Sequence, residues 1–291
     1  MTTMAEPART APTSGRRRPS RNRFLLYVSA LLVFLFSATP LIWMLASSVQ
    51  PLSRLLQTTT GPFDLRHFTV DGYRELIATY PVWSWLLNSA LVAAAITVGC
   101  MFTDSLAAYA LARMSWRGRQ GVFVLLLTPL MIPLQVLLVP LYVMMRDFGW
   151  IDSYLAVIVP FLSSPTGIFL LRQHFLTLPR ELDEAAATDG ASPFRTLRSI
   201  ILPNSLAALG TAAVIKFIWA WGEFAWPSLV LNSAEKQTLP VGLASFQSEF
   251  NPRWDLLMAG STIAVIPLIL AFIALQKYFV RGLTASALAG E

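Results

Sequence analysis

The chain has 291 residues, of which 55% are hydrophobic and 13% are charged, and its formal net charge is +6. An average soluble domain carries about 25% charged residues, so this composition excludes an ordinary soluble domain and indicates a membrane protein with several spans. The single cysteine, Cys100, excludes an internal disulfide framework, and His67 and His174 are too few and too scattered for a His/Cys metal cluster.

The first 23 residues form a basic tail rich in Pro, Thr, Ser and Arg, with three consecutive arginines at 16–18. A segment this polar cannot bury a core, so residues 1–23 are predicted to be a disordered tail. Basic patches bind nucleic acid in some proteins, but beside a hydrophobic span they more often mark a cytoplasmic flank near anionic lipid. We therefore expect lipid, and no nucleic acid, beside this tail.

Six apolar runs follow, and about 20 residues at about 1.5 Å each cover the roughly 30 Å hydrocarbon core of a bilayer. The first run is too long, and too closely followed by others, to be a cleaved signal peptide. The pattern predicts an all-α polytopic membrane protein with six transmembrane helices and a C-terminal tail at 281–291. The predicted spans lie at about 24–47, 85–112, 122–145, 154–171, 204–231 and 256–280, with several prolines in the third and fourth.

A polar segment, 173–203, separates the fourth and fifth spans and carries its own helix signals. Pro179 and the acidic residues after it suit the first turn of a helix, and three consecutive alanines continue that helix. Gly190 is predicted to end it by taking a positive φ. Ser192 is predicted to be the N-cap of a second short helix, which Pro203 closes.

Lysine and arginine are unequally divided between the two sides that six spans define. Fifteen lie on the side of the N-terminus: Arg9, Arg16, Arg17, Arg18, Arg21, Arg23, Arg113, Arg117, Arg119, Arg172, Arg180, Arg195, Arg198, Lys277 and Arg281. Six lie on the opposite side: Arg54, Arg66, Arg74, Arg146, Lys236 and Arg253. Because cytoplasmic loops carry an excess of Lys and Arg, both termini and the polar segment are predicted to be cytoplasmic.

The polar segment also carries a spaced motif: Glu-Ala-Ala, three residues, Gly, nine residues, then Ile-x-Leu-Pro. The residues in this motif, together with the aspartate before its glycine, are Glu184, Ala185, Ala186, Asp189, Gly190, Ile200, Leu202 and Pro203. It resembles the EAA loop of the permease subunits of bacterial ABC importers, the binding-protein-dependent transport inner-membrane component family. The resemblance implies a type I ABC importer permease fold, in which this loop forms a coupling helix that docks on an ATPase.

Two further stretches resemble the carbohydrate-import branch of that family, with its maltose-type and glycerol-3-phosphate-type second permeases. Residues 276–284 are similar to the C-terminal signature of the branch, although the chain ends differently after them. Residues 219–227 are similar to its W-N-E-F-x-W-P stretch, with Gly222 where Asn is common. The resemblance implies that this permease forms half of the translocation path for a sugar or sugar derivative.

The same resemblance implies a set of partners in the bacterial inner membrane and on both of its sides. These are a second permease, a dimer of ATP-binding subunits and an extracytoplasmic solute-binding lipoprotein. The resemblance favours a heterodimer of two different permeases. The sequence has no G-x-x-x-x-G-K-S/T phosphate loop. We therefore expect no enzyme activity and no cofactor on this chain, with ATP and Mg on the ATPase subunit.

Ionisable groups within predicted spans are costly and suggest function. Asp104, Lys216 and Glu223 are such groups, and structural roles are favoured for the first two. Lys216 and Glu223 are predicted to share a helix face about 10.5 Å apart, too far for an ion pair. Aromatic faces and carboxylate or amide groups suit sugar binding. The predicted substrate-path residues are therefore Asn88, Trp219, Glu223 and Trp226.

Two rival functions belong to other classes. A proton-coupled secondary transporter would use Asp104 and Glu223 as a relay, but it gives no reason for the polar segment. A membrane enzyme would need a Ser/His/Asp set, a metal cluster or an intramembrane aspartate pair, none of which the sequence supplies. The residues leave open which sugar is carried, and whether the solute site lies on this subunit or its partner.

Overall fold

The computed structural model of this protein describes residues 20–56, 67–247 and 250–288. Throughout these ranges the regular secondary structure is helical. The predicted basic tail lies outside the described residues as far as residue 19, and so do the last three residues of the predicted C-terminal tail.

The helices are numbered in chain order. They are α1 (Ser20–Ser48), α2 (Leu52–Leu55), α3 (Asp71–Thr79), α4 (Val82–Ala112), α5 (Arg119–Leu127), α6 (Leu134–Asp147), α7 (Tyr154–Ile158), α8 (Pro165–Thr177), α9 (Glu181–Thr188), α10 (Pro193–Thr196), α11 (Leu202–Asn204), α12 (Leu206–Gly222), α13 (Ala225–Val230), α14 (Leu239–Ala244) and α15 (Trp254–Leu288). Short 3₁₀ turns lie at Thr128–Met131, Val159–Phe161 and Ala234–Lys236, and a π-helical turn at Leu197–Ile201.

The chain divides into two units, Met1–Met44 and Leu45–Glu291. The first contains most of α1, whose apolar stretch Phe24–Ser48 has 25 residues and a mean hydropathy of 2.2. At about 1.5 Å per residue this stretch is long enough to cross a bilayer.

Helix α4 is the centre of the second unit. It packs mainly against α8 and α12, and α12 packs in turn against α15. Buried alanines on α4, such as Ala93 and Ala108, have no exposed surface and let neighbouring helices approach closely. Gly99 serves the same purpose, because a β-carbon there would overlap the side chain of Leu162.

Among the described residues, four helical segments are long and apolar enough to cross a membrane, and there are up to six if each of two bent helix pairs counts as one span. The four are Phe24–Ser48, Val82–Ala112, Tyr154–Thr177 and Trp254–Ala274. Helical structure continues beyond the predicted end of the fourth span at 171, to Thr177. Helix α15, which contains the predicted sixth span, likewise continues beyond the predicted end of that span at 280, to Leu288.

The predicted third span, 122–145, is sharply bent. Arg119–Met131 and Leu134–Asp147 meet at 101°. Pro133 explains the break, because proline removes an N–H from the helix and disfavours helical geometry at the residue before it. Ile132 accordingly has φ −104° and ψ 117°, which is extended backbone.

The predicted fifth span, 204–231, is not one helix. Its start bends by 84° between Pro193–Asn204 and Leu206–Gly222, and its end breaks at Glu223, which is extended with φ −66° and ψ 123°. In an unbroken helix the ring of Pro227 would clash with the carbonyl of Glu223, four residues earlier. Glu223 is therefore the last residue that follows the helix of Lys216, and the chain leaves that helix after it.

Candidate functional site

We call the polar segment at residues 173–203 the coupling segment. Helix α9, in its first half, ends at a glycine. Gly190 has a φ of +72°. Its N–H donates to the carbonyl of Ala187 at 3.0 Å, and the N–H of Ala191 donates to that of Ala186 at 2.9 Å. These two bonds form a Schellman motif, which requires a residue that tolerates positive φ. The predicted role of Gly190 in backbone geometry is confirmed.

The second half begins as predicted and ends differently. The hydroxyl of Ser192 accepts a hydrogen bond from the N–H of Arg195 at 3.4 Å, which makes Ser192 the N-cap of α10. Pro203 does not close this helix. It lies within α11, a position near a helix start that tolerates proline, and the chain turns only after Asn204.

The motif residues divide into an exposed set and a packed set. The exposed residues are Glu184, Ala185, Asp189, Gly190 and Pro203. Ala186 is buried, and Ile200 and Leu202 are half-buried. The coupling segment thus presents a small, acidic, glycine-containing surface, while its other side packs against the rest of the protein.

Arg113, at the end of α4, holds the start of the coupling segment. Its side chain is 3% exposed and forms an ion pair with Asp183. Its guanidinium also donates to three carbonyls, those of Phe175 at 3.2 Å, Leu178 at 2.8 Å and Pro179 at 2.7 Å. A cation among the last carbonyls of α8 is favoured by the helix dipole. Sequence reasoning used Arg113 only to orient the chain, and no local signal pairs it with residues so far along the sequence.

Hydrophobic packing fixes the other half of the coupling segment. Leu197 and Ile201 are buried in one cluster with Tyr109 of α4 and with Leu171 and Phe175 of α8. Full burial of an aliphatic side chain such as Ile201 contributes about 1.5–3 kcal/mol. The second half of the coupling segment is therefore packed against α4 and α8.

A cavity of about 180 Å³ lies between α4, α8 and α12, and its lining includes Asp104, Lys216 and Trp219. The side chain of Asp104 has no exposed surface. Its Oδ1 accepts from the hydroxyl of Ser163 at 3.0 Å and the N–H of Ser164 at 2.9 Å, as expected of a structural hydrogen bond. Its Oδ2 receives no hydrogen bond within the described ranges. Two ionisable groups from different helices therefore face one cavity.

Of the four predicted substrate-path residues, only Trp219 lines this cavity. Its ring centroid lies 4.1 Å from Nζ of Lys216 and 5.2 Å from the ring of Phe161. Glu223 is close enough to Lys216 to interact electrostatically. Its Oε1, however, accepts from the N–H of Trp226 at 3.1 Å and so caps α13.

The other two predicted path residues are engaged in packing and hydrogen bonds. Trp226 is fully buried, and its Nε1 donates to the carbonyl of Ala156 at 2.9 Å. Asn88 donates to the carbonyls of Glu235 at 2.7 Å and Gln237 at 2.9 Å and accepts from the hydroxyl of Tyr154 at 2.8 Å. Both side chains hold loops and helices together at the start of α4.

The loops near the start of α4 are also held by an ionic contact, which the sequence did not predict. Asp152, at φ +59°, accepts from the N–H of Asn232 at 3.0 Å, from the N–H and hydroxyl of Ser233 at 2.9 and 2.6 Å, and from Nζ of Lys236 at 2.9 Å. The hydrogen bonds from Ser233, followed by that from Lys236, hold the pKa of Asp152 well below its usual range. The one local signal is that aspartate tolerates a left-handed conformation better than most residues.

The fold matches a chain in the crystal structure of a bacterial ABC transporter involved in the import of the acidic polysaccharide alginate. The match has a TM-score of 0.75 and 22% identity and covers 92% of this chain and 100% of that one.

Residues 104–285 match the family described as the binding-protein-dependent transport system inner membrane component. The chain belongs to this family. It is 35% identical to the arabinooligosaccharides transport system permease protein AraQ of Bacillus subtilis, over 91% of this chain and 94% of that protein. It is also 35% identical to the trehalose/maltose transport system permease protein MalG of Thermococcus litoralis, over 92% and 98%. These likenesses support an importer permease and give no support to the proton-coupled alternative.

Proposed function

We propose that this permease forms half of the translocation path for a sugar or sugar derivative, and that a separate ATPase drives it through the coupling segment. The relatives described above are named for arabinooligosaccharides and for trehalose and maltose, which supports a carbohydrate solute. The observation that carries the proposal is the geometry of the coupling segment. Its acidic, glycine-containing surface is exposed, while its underside is tied to α4 and α8.

The proposed mechanism is alternating access. The ATPase presses on the exposed side of α9, and the Arg113–Asp183 ion pair and the buried Leu197 and Ile201 pass this movement to α4 and α8. The coupling free energy between the ATPase interface and the solute path then comes from the difference in packing between the two states of alternating access. Glu184 and Asp189 are proposed to pair with basic residues of the ATPase, and Gly190 to set the angle of the segment.

The complete transporter is proposed to contain further polypeptides. A second permease, in a heterodimer, supplies the other half of the path, and two ATP-binding subunits carry ATP and Mg. The family description, binding-protein-dependent transport, supports an extracytoplasmic solute-binding protein that delivers the sugar. The proposed location is the bacterial inner membrane with both termini cytoplasmic, as the distribution of Lys and Arg supports.

Orientation is tested by cysteine labelling at the two ends of α4. In a Cys100→Ser background, Ala185→Cys places a thiol on the coupling segment and Glu235→Cys places one on the loop that Asn88 contacts. In intact cells a membrane-impermeant maleimide should label Glu235→Cys and should leave Ala185→Cys unlabelled until the cells are opened. Labelling of Ala185→Cys from outside would overturn the proposed coupling role.

Function is tested by purifying the tagged chain in mild detergent, identifying the subunits that co-purify and reconstituting them in proteoliposomes. We expect ATP hydrolysis that is stimulated by the binding protein loaded with arabinotriose, maltose or trehalose, together with uptake of that saccharide. Uptake by this chain without any ATPase subunit would refute the proposal.

A further inference from the structure

We propose that the cavity between α4, α8 and α12 is a binding subsite on this subunit for one ring of a neutral saccharide. In this subsite Asp104 and Lys216 hydrogen-bond to the ring hydroxyls and Trp219 provides the aromatic wall. The inference rests on the proposed carbohydrate function and assigns to this chain a solute site that the family likeness alone does not.

The first observation is the unused carboxylate oxygen of Asp104. The side chain has no exposed surface, and its Oδ1 already accepts two hydrogen bonds. Its Oδ2 is buried beside Gly167 and receives no hydrogen bond from any described residue, and Asp104 is one of the residues that line the cavity. A buried acceptor without a partner is costly, and a ligand hydroxyl that donates to Oδ2 removes that cost.

The second observation is the cation across the cavity. Nζ of Lys216 lies 4.1 Å from the centroid of the Trp219 ring and 5.9 Å from that of Phe161, and no carboxylate oxygen of a described residue lies within 4.0 Å of it. An ammonium group has three donors, so it can donate to a ligand oxygen. One ring carrying adjacent hydroxyls can donate to Asp104 and accept from Lys216 at the same time.

Size and charge indicate which ligand fits. The cavity of about 180 Å³ far exceeds the roughly 30 Å³ of one water molecule and is comparable to the about 150 Å³ cavity that accommodates benzene in another protein, so it suits one six-membered ring. One carboxylate and one ammonium group leave the lining neutral overall, which favours a neutral polyhydroxyl ligand over an anionic one. Thr166 is exposed and also lines the cavity, so the cavity is reachable from outside the helix bundle.

The experiment uses the complete transporter with its binding protein, trapped with ATP and vanadate in lipid nanodiscs. In a Cys100→Ser background, Thr166→Cys is labelled with a small methanethiosulfonate reagent, with and without arabinotriose, maltose or trehalose. We expect the saccharide that stimulates ATP hydrolysis to slow the labelling. We expect sn-glycerol 3-phosphate, an anion, to have no effect.

Asp104→Asn is the decisive variant, because asparagine keeps the Oδ1 acceptor for Ser163 and Ser164 and replaces only Oδ2. It should weaken the protection about tenfold in saccharide concentration, as loss of one hydrogen bond to a charged group does. Ser105→Ala is the matched control. Ser105 is the next residue on α4 and equally buried, but its hydroxyl donates to the carbonyl of Met101 and it lines a different cavity, so protection should not change.

Undiminished labelling of Thr166→Cys in a complex whose ATP hydrolysis responds to the saccharide would overturn the subsite and leave the proposed function standing. If no saccharide stimulates the wild-type complex, the carbohydrate function fails and the subsite fails with it. If Thr166→Cys itself abolishes the response, retention of tritiated saccharide by the trapped complex decides: equal retention by wild type and Asp104→Asn refutes the subsite, and about tenfold weaker retention by Asp104→Asn supports it.

Discussion

The two ends of helix α4 hold their neighbouring segments in different ways, although about 37 Å of helix separates Asn88 from Arg113. At the Arg113 end, the coupling segment takes its shape from caps and turns between residues close in sequence, and only its attachment is long-range. At the Asn88 end, short loops and helices are held by the side chains of Asn88 and Trp85. Their hydrogen-bond partners lie 66 to 149 residues away along the chain. Local geometry makes a surface that can move as one body, whereas long-range contacts fix the loops against the helices.

The largest expected effect comes from Gly190→Val. The left-handed conformation costs a residue with a β-carbon about 1–2 kcal/mol, and branched side chains tolerate it worst, so α9 must end differently and its exposed surface must shift. We expect normal membrane insertion but uptake and solute-stimulated ATP hydrolysis at background. Gly121→Val is the control, because Gly121 is exposed, has an ordinary φ and has open space around it. Normal stimulation in Gly190→Val would contradict the coupling role.

The attachment of the coupling segment is tested by Arg113→Met. This change leaves three carbonyls and the carboxylate of Asp183 without their donor, and loss of one partner of a buried pair costs about 3–5 kcal/mol. We expect faster proteolysis at 178–183 and a lower melting temperature in detergent. The exposed Arg117→Met should change neither property. Equal proteolysis rates in the two variants would show that packing alone holds the segment.

At the Asn88 end of α4, Asp152→Asn tests a clasp, by which we mean the hydrogen bonds from Ser233 and Lys236 to the carboxylate of Asp152. Asparagine tolerates the φ of +59° at this position, so the change removes charge without straining the backbone. Loss of charge-assisted hydrogen bonds at this partly exposed site should cost about 1 kcal/mol, or about 2–4 °C in melting temperature. Asp147→Asn serves as the control, because Asp147 is 59% exposed and its ion pair is with the adjacent Arg146. Identical melting temperatures for wild type and Asp152→Asn would show that this clasp is dispensable.

The smallest expected effect is that of Glu75→Gln. Arg253 donates to both carboxylate oxygens of Glu75, at 2.6 and 2.7 Å, and this hydrogen bonding holds the pKa of Glu75 below its usual 4.5. A lowered folded-state pKa stabilises the protein above about pH 4.5, and that stabilisation is lost as the pH falls through the lowered value. The melting temperature of the wild type should therefore exceed that of Glu75→Gln slightly at pH 7, and the difference should shrink below pH 4.5. A difference that is constant with pH would remove the electrostatic explanation.

Much of the fold could be predicted because each span is long, apolar and bounded by polar residues. The prediction failed where a proline interrupts a hydrophobic run. Pro133 bends one span, and Pro227 breaks another at Glu223, so a hydrophobic run that looks continuous contains a helix end. The same break gives the Glu223 carboxylate a capping role that its place in the run did not suggest.

The candidate sites divide in the same way. Ser192 and Gly190 act on backbone groups within a few residues of themselves, so composition and spacing were sufficient to place them. Trp219, which the sequence offered as an aromatic residue, lines the cavity with Lys216 of the same helix α12, whereas Asp104 comes from α4 and only packing brings it there. Asn88 and Trp226 have the right chemistry for sugar binding, yet their polar groups are occupied by other parts of the chain.

Hydropathy, turn chemistry and motif spacing are local or periodic properties, so they were sufficient to predict the membrane class, the position of the coupling segment and the family. The folded chain was needed to find that Arg113 anchors the coupling segment, that Asp152 and Asn88 hold the opposite loops, and that Asp104 and Lys216 line one cavity. A buried polar group must find a partner in three dimensions, and distance along the chain does not specify which partner is within reach.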